Sequence, residues 1–166
     1  MKKIIKDIYP YIIILIIVIL VKSYLITPVQ VNGDSMYNTL YDNDIMILNK
    51  IGYKFDNIKR FDIVVIDYND KYLIKRVIGL PGEKVKIADN KLYINDEYVE
   101  EYFLDTSVIT DDYELNGVIP EGYYFVMGDN REISLDSRRL GVFSKDQIEG
   151  KATLTIFPFT RFGFKK

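Results

Sequence analysis

Neither histidine nor cysteine occurs anywhere in these 166 residues. The first absence removes the imidazole base of ordinary serine hydrolases and the commonest zinc and iron ligand. The second excludes disulfides, thiolate metal sites and a cysteine nucleophile. No cofactor is expected, and any hydrolytic chemistry is left to hydroxyl, carboxylate and amine groups. A chain without thiols is indifferent to redox conditions, so the missing cysteine does not fix a compartment. An excess of one charge is lacking too: 22 basic side chains stand against 24 acidic ones, a formal net charge of -2, and no global field favours nucleic acid. Repeats and low-complexity tracts are absent, and the length supports one ordinary domain.

One long apolar run is present. Lys2, Lys3 and Lys6 precede it, and Ile12 to Val21 is unbroken. A bilayer core about 30 Å thick takes roughly 20 helical residues, so residues 8–27 are expected to form a transmembrane anchor, with Pro10 in the first turn and Lys22 snorkelling to the interface. The flanking lysines put residues 1–7 in the cytoplasm and residues 28–166 outside it. A cleavable leader is the alternative. It is disfavoured because Ser23-Tyr24-Leu25-Ile26-Thr27-Pro28 provides bulky residues where a small-x-small cleavage site would stand.

Beyond Pro28 no long 3.6-residue periodicity appears. The chain breaks instead into short β-branched and aromatic runs: Ile45 to Leu48, Asp62 to Asp67, Tyr72 to Ile78, Val85 to Ala88, Leu92 to Ile94, Tyr123 to Met127 and Ala152 to Phe157. Asp89-Asn90 and Asn95-Asp96 are expected to close successive hairpins, the second leading into Glu97-Tyr98-Val99. Met36 to Leu40 has room for a single helical turn. The domain should be mainly antiparallel β.

On the strand containing Lys75, alternation puts Leu73, Lys75 and Val77 on one face and Tyr72, Ile74, Arg76 and Ile78 on the other, so each face carries one cation. Periodicity does not say which is buried. Chemistry separates them: arginine stays protonated, whereas a desolvated lysine releases its proton. Bringing a lysine from about 10.4 to about 8 takes roughly 3 kcal/mol of destabilisation of its charged form. A lysine snorkelling to solvent is the plainer reading. Ser35, in Gly33-Asp34-Ser35-Met36, is a nucleophile candidate whose amide can face an oxyanion, or equally an ordinary turn serine. Gly128 to Arg138 is dense in groups that form polar networks. There Asp129, Asp136, Arg131 and Arg138 can pair with one another and with Arg76, while Ser134 can orient a neutral lysine amine; a solvated charged loop is the alternative.

Ser35 to Leu40, Arg60 to Val65, Lys75 to Glu83, and Gly128-Asp129-Asn130-Arg131 through Asp136-Ser137-Arg138 resemble, in order, the motifs of type I signal peptidases, as does the anchor before them. The resemblance implies a membrane-bound serine endopeptidase that removes signal peptides from exported preproteins, built on an antiparallel coiled β-sheet or partial barrel behind a single N-terminal transmembrane helix. It implies Ser35 as nucleophile, Lys75 as general base and Ser134 as the lysine-orienting serine. Asp129, Asp136, Arg76 and Arg138 match its supporting ion pairs. Gly33 stands where the Gram-negative branch has a second oxyanion serine, as in the Gram-positive branch, which leaves the Ser35 amide as the clearer donor. Val31, Met36, Leu40 and Ile74 are expected to help line the substrate pockets. Two residues depart from the pattern: Asn38 where proline is usual, and Phe61 where glycine is common.

The implied partners are secreted preproteins and the lipid bilayer. Pilin precursors join the candidate substrates because some family members serve pilus assembly. A few of those depart from the catalytic motifs, so the alternative is an assembly factor or chaperone for surface proteins with little or no peptidase activity. Soluble self-cleaving repressors share Ser-Lys chemistry, but the anchor argues against them. The C-terminal Phe157 to Lys166 alternates aromatics with cations, a pattern suited either to the membrane interface or to packing on the domain.

Overall fold

The computed structural model describes residues 8–16, 18, 26–50 and 58–165. Residues 8–16 and 18 are helical, and Tyr11, Ile14 and Leu15 are exposed on that helix. The remainder of the expected anchor and the expected cytoplasmic residues 1–7 lie outside the described residues, except that Ile26 and Thr27 already belong to the first strand. Among the described residues no helix is long and apolar enough to cross a membrane.

Antiparallel strands dominate the rest. The larger sheet contains β1 (Ile26–Gln30), β2 (Ile45–Asn49), β3 (Ile63–Tyr68), β4 (Lys71–Gly79), β9 (Tyr123–Met127), β10 (Phe143–Ser144) and β11 (Ile148–Phe157), in the spatial order β1-β2-β11-β3-β4-β9-β10, with β12 (Gly163–Phe164) added to β11. A smaller sheet, β7-β6-β5-β8, is formed by β5 (Val85–Ala88), β6 (Lys91–Ile94), β7 (Glu97–Val99) and β8 (Tyr113–Glu114). No barrel closes. The expected run at 152–157 is the second half of β11, whose opening residues Ile148-Glu149-Gly150-Lys151 escape a hydropathy search because charge and glycine interrupt them. The two-residue strands and β1, which carries Pro28, give similarly weak local signals.

Turn chemistry sets the hairpin registers. Asp89-Asn90 and Asn95-Asp96 have the positive φ angles of a two-residue primed turn, 49° and 60° in the first and 52° and 67° in the second. Asn69-Asp70, at 50° and 61°, makes a third such turn between β3 and β4 and sets Val64 opposite Lys75. Both faces of β4 become covered along its length, and Lys75 through Gly79 are all buried. Apolar clusters collect on either side of the large sheet, one around Val64, Ile66, Val77 and Val126, another around Val31, Met36, Leu40 and Val65. A third, with Ile78, Ile87, Ile119 and Phe125, joins the small sheet to the large one.

Where β11 passes β2, the backbones approach closely at Gly150. A Cβ there would fall 2.6 Å from the Asn49 carbonyl oxygen and 3.0 Å from Leu48 Cδ1. Gly150→Ala is expected to destabilise the fold by about 1–3 kcal/mol through overpacking, seen as a lower denaturant midpoint. An unchanged midpoint would mean that β11 shifts freely at this bulge.

Candidate functional site

The segment after β1 turns sharply: the Leu40 N–H donates to the Met36 carbonyl at 2.8 Å and the Tyr37 N–H to that of Asp34 at 3.1 Å. This is the expected single turn, and it presents Ser35. The Gly33 N–H is engaged by the Asp42 carboxylate at 2.7 Å, and the Ser35 carbonyl accepts the Asn130 N–H at 3.1 Å. Among the described residues the Ser35 N–H has no acceptor, so it is free to receive a developing oxyanion.

Lys75 reaches this turn from β4, 40 residues later, with Nζ 2.6 Å from Ser35 Oγ. It is 2 % exposed. Burial lowers its pKa from 10.5 to about 8, against the opposing fields of Asp136 and Asp129. Arg76, next along the strand, is fully buried as well, so both faces hold their cation in the interior. Arg76 is met by a fork of carboxylate oxygens: its Nε lies 2.9 Å and its second guanidinium nitrogen 2.6 Å from Asp129. Thr39 Oγ1 donates to the same carboxylate.

Asp136 caps the helical turn Ser137–Leu140 and accepts the Gly128 N–H at 3.0 Å, and Arg138 contacts both its oxygens at 2.9 Å. Desolvation pushes its pKa up, but the Arg138 hydrogen bond and charge, the Gly128 N–H and the nearby Ser134 hydroxyl outweigh it, and the carboxyl ends below its ordinary value. Gly128 has no room for a side chain: a Cβ would press on the Ser35 carbonyl and Ser134 Oγ.

Several expectations change. Ser134 is buried as expected and packs against Gly128, but no hydrogen bond joins its hydroxyl to Lys75; the group it acts on is the Asp136 carboxylate, whose pKa it helps to lower. Arg131 does not join Asp129 or Asp136. Its guanidinium forks onto Glu101, with a bond of 3.0 Å from one nitrogen, and also donates to Thr110 at 3.1 Å. Glu101 lies in an irregular segment with no local pattern to mark it, as Thr39 does in its turn. Arg60 and Glu83, seen only as motif residues, form another fork, at 2.9 and 2.6 Å, that fixes the turn after β4.

Both departures occupy left-handed backbone. Asn38, at φ 37°, sits where proline's ring could not, in a turn held by the Tyr37, Thr39 and Leu40 N–H groups. Phe61, at φ 70°, holds a conformation costing about 1–2 kcal/mol for an L residue. Packing offsets that: its ring meets Phe103 at 4.9 Å and Tyr102 at 5.6 Å, while its carbonyl accepts from Arg76 at 3.0 Å.

A cleft of about 570 Å³ opens onto Ser35 and Lys75 between β1 and the first half of β4. Val31, Met36 and Ile74 line it. Leu40 does not: it is fully buried in the cluster beneath. β1 pairs only with β2, and residues 71–75 of β4 pair only with β3, so among the described residues each leaves a ladder edge free beside the cleft.

The family model described as signal peptidase, peptidase S26, matches residues 3–157. The chain is 36% identical to signal peptidase IB of Staphylococcus aureus (strain MRSA252) over 90% of this chain and 87% of that protein. It is 39% identical to signal peptidase I of Bacillus amyloliquefaciens over 89% of this chain and 85% of that one. Among solved structures, a signal peptidase I from Enterococcus faecalis V583 is 36% identical, with a TM-score of 0.54, and covers 59% of this chain and 98% of its own.

Burial of Lys75 carries a stability cost with a defined sign. With a folded pKa of about 8 against 10.5 ordinarily, the unfolded chain binds more protons across that window, so stability rises with pH from about 8 towards 10.5. Lys75→Met is therefore expected to stabilise the protein near neutral pH by roughly 2–3 kcal/mol, a gain that disappears as the medium becomes alkaline enough to neutralise the unfolded lysine. Thermal melts across that range test this; a Lys75→Met protein less stable near neutrality contradicts it.

Proposed function

The chain belongs to the type I signal peptidases, and from that premise we propose that Ser35 and Lys75 perform the cleavage of signal peptides from secreted preproteins as nucleophile and general base. The observation that carries this assignment is the 2.6 Å approach of a buried amine with its pKa near 8 to the Ser35 hydroxyl. The preprotein enters the cleft as an extended strand between the free edges of β1 and β4. Its residues before the scissile bond lie over Val31, Met36 and Ile74, where shallow apolar walls suit small side chains. Neutral Lys75 takes the Ser35 proton as the oxygen attacks the scissile carbonyl carbon. The Ser35 N–H receives the oxyanion, and the protonated amine then delivers its proton to the departing amine. Returned to neutrality, Lys75 deprotonates the water that hydrolyses the acyl-enzyme. Asp129 and Asp136 hold the frame through Arg76 and Arg138, and their fields keep the lysine pKa from falling further. Ser134 serves as a positioning residue behind Gly128.

The segment from residue 8 up to the start of β1 acts in this reading as a single-pass anchor with the N-terminus cytoplasmic and the strands from β1 onward outside, the active site close to the bilayer. Support comes from the hydropathy of the segment, the exposed apolar side chains of the helix at residues 8–16 and 18, and the short distance in sequence from Pro28 to Ser35. Phe159, Phe162 and Phe164 are 81%, 62% and 77% exposed and form an aromatic edge suited to the membrane interface. No observation favours the noncatalytic assembly-factor alternative.

Membranes carrying wild-type, Ser35→Ala or Lys75→Ala protein, incubated with preproteins that include pilin precursors, test the assignment by mapping new N-termini. Cleavage after small-x-small sequences is expected to drop by about 10³-fold or more in both variants. For the wild type, kcat/KM is expected to climb with pH through about 8 as Lys75 loses its proton. A flat profile across that range, with chemistry rate-limiting, would remove Lys75 as the base.

A further inference from the structure

A second, smaller depression of about 140 Å³ lies beside the same turn, lined by Tyr37, Asn38, Val108, Ile109, Asn130 and Glu132 among others. We propose that it receives the side chain of one of the first two residues after the scissile bond, and that it favours an apolar or basic side chain over an acidic one. The inference rests on Ser35 being the nucleophile and adds to it a site for the mature end of the substrate.

Continuity with the first cleft is the starting point. That cleft abuts Ser35 and Met36, whereas the depression abuts Tyr37 and Asn38, the next residues of the same turn. Asn130, whose N–H grips the Ser35 carbonyl, forms part of its wall. In this inference, a peptide with its acyl side between β1 and β4 and its carbonyl carbon at Ser35 Oγ leaves across this turn. Among the described residues the Asn130 side-chain amide has no partner, so it is available to the main chain of such a peptide.

The opposite wall is a built feature. Asn90 Nδ2 donates to the Val108 carbonyl at 3.1 Å, and Asn90 Oδ1 accepts the Thr110 N–H at 2.7 Å. Arg131 ties Thr110 back to the loop that follows β9. The 107–110 segment is therefore held from both sides, and the small sheet acquires a purpose in carrying it.

Charge and polarity select the occupant. Ile109 and Tyr37 are 64% and 46% exposed, leaving apolar surface for a side chain to cover. Asp129 and Arg131, which also line the depression, are matched by Arg76 and Glu101. Glu132 is exposed and has no ion-pair partner among the described residues, so it is the one unmatched charge on the rim. It attracts a cation and repels a carboxylate.

The test uses the full chain in detergent with fluorogenic peptides that keep small residues one and three positions before the cut and carry Leu, Lys or Glu at the first or second position after it. For the wild type, Leu and Lys peptides are expected to exceed Glu peptides in kcat/KM by about fivefold at one of those positions. Glu132→Lys is expected to reverse the Lys and Glu order there, and Ile109→Ser to reduce the advantage of Leu, with preferences before the cut unchanged. If the order after the cut is the same in all three proteins, or if preferences before the cut move in parallel, the depression is not a substrate site. Wild-type protein that cleaves none of the peptides defeats the peptidase assignment and this inference together; cleavage without the charge reversal defeats the inference alone.

Discussion

Burying two successive cations of one strand is the constraint around which this protein is arranged. Arginine cannot shed its charge, so Arg76 requires a carboxylate fork from Asp129 and a cover, which the Phe103 ring supplies with its centroid 3.9 Å from the guanidinium carbon. Lysine can shed its charge, and among the described residues Lys75 is given only the Ser35 hydroxyl as a direct hydrogen-bond partner. Burial disfavours the ammonium, while the more distant carboxylates limit how far its pKa falls. The same strand therefore yields a permanently charged structural pair and an amine able to exchange its proton near neutral pH.

The loop after β9 connects these two outcomes. Asp129 belongs to the arginine pair, Asn130 grips the Ser35 carbonyl, Arg131 anchors the segment preceding β8 through Glu101 and Thr110, and Asp136 caps the helical turn while holding Gly128. Gly128 has to be glycine because the Ser35 backbone and Ser134 fill the space above it. Ion pairs and backbone bonds this closely connected resist local rearrangement and hold Lys75 against Ser35. Phe61 extends the same logic: a strained backbone is retained where its carbonyl and ring both brace the buried arginine.

Strand segments with uninterrupted β-branched residues were legible because both faces of those strands are buried, and the Asp-Asn and Asn-Asp turns because their φ angles demand such residues. The serine, the lysine and the charged loop stood out through the absence of histidine and cysteine and through resemblance. Spacing alone left each with a plainer explanation. Glu101, Thr39 and the depression beside Ile109 left no local trace, since the groups that meet there are separated by tens of residues and none belongs to a periodic pattern.

By itself, the sequence determined the chemical repertoire: a chain without imidazole or thiol, composed of short antiparallel strands, with lysine as its available nitrogen base. Composition and turn residues act locally, and such properties survive without knowledge of the fold. Tertiary structure alone decided that Lys75 and Arg76 are both buried, that one receives a hydroxyl and the other a carboxylate, that Leu40 supports the cleft from below rather than lining it, and that Arg131 turns to Glu101. The physical reason is that desolvation and ion pairing depend on what the chain brings together across the sheets, and side-chain alternation along a strand carries no information about those distant partners.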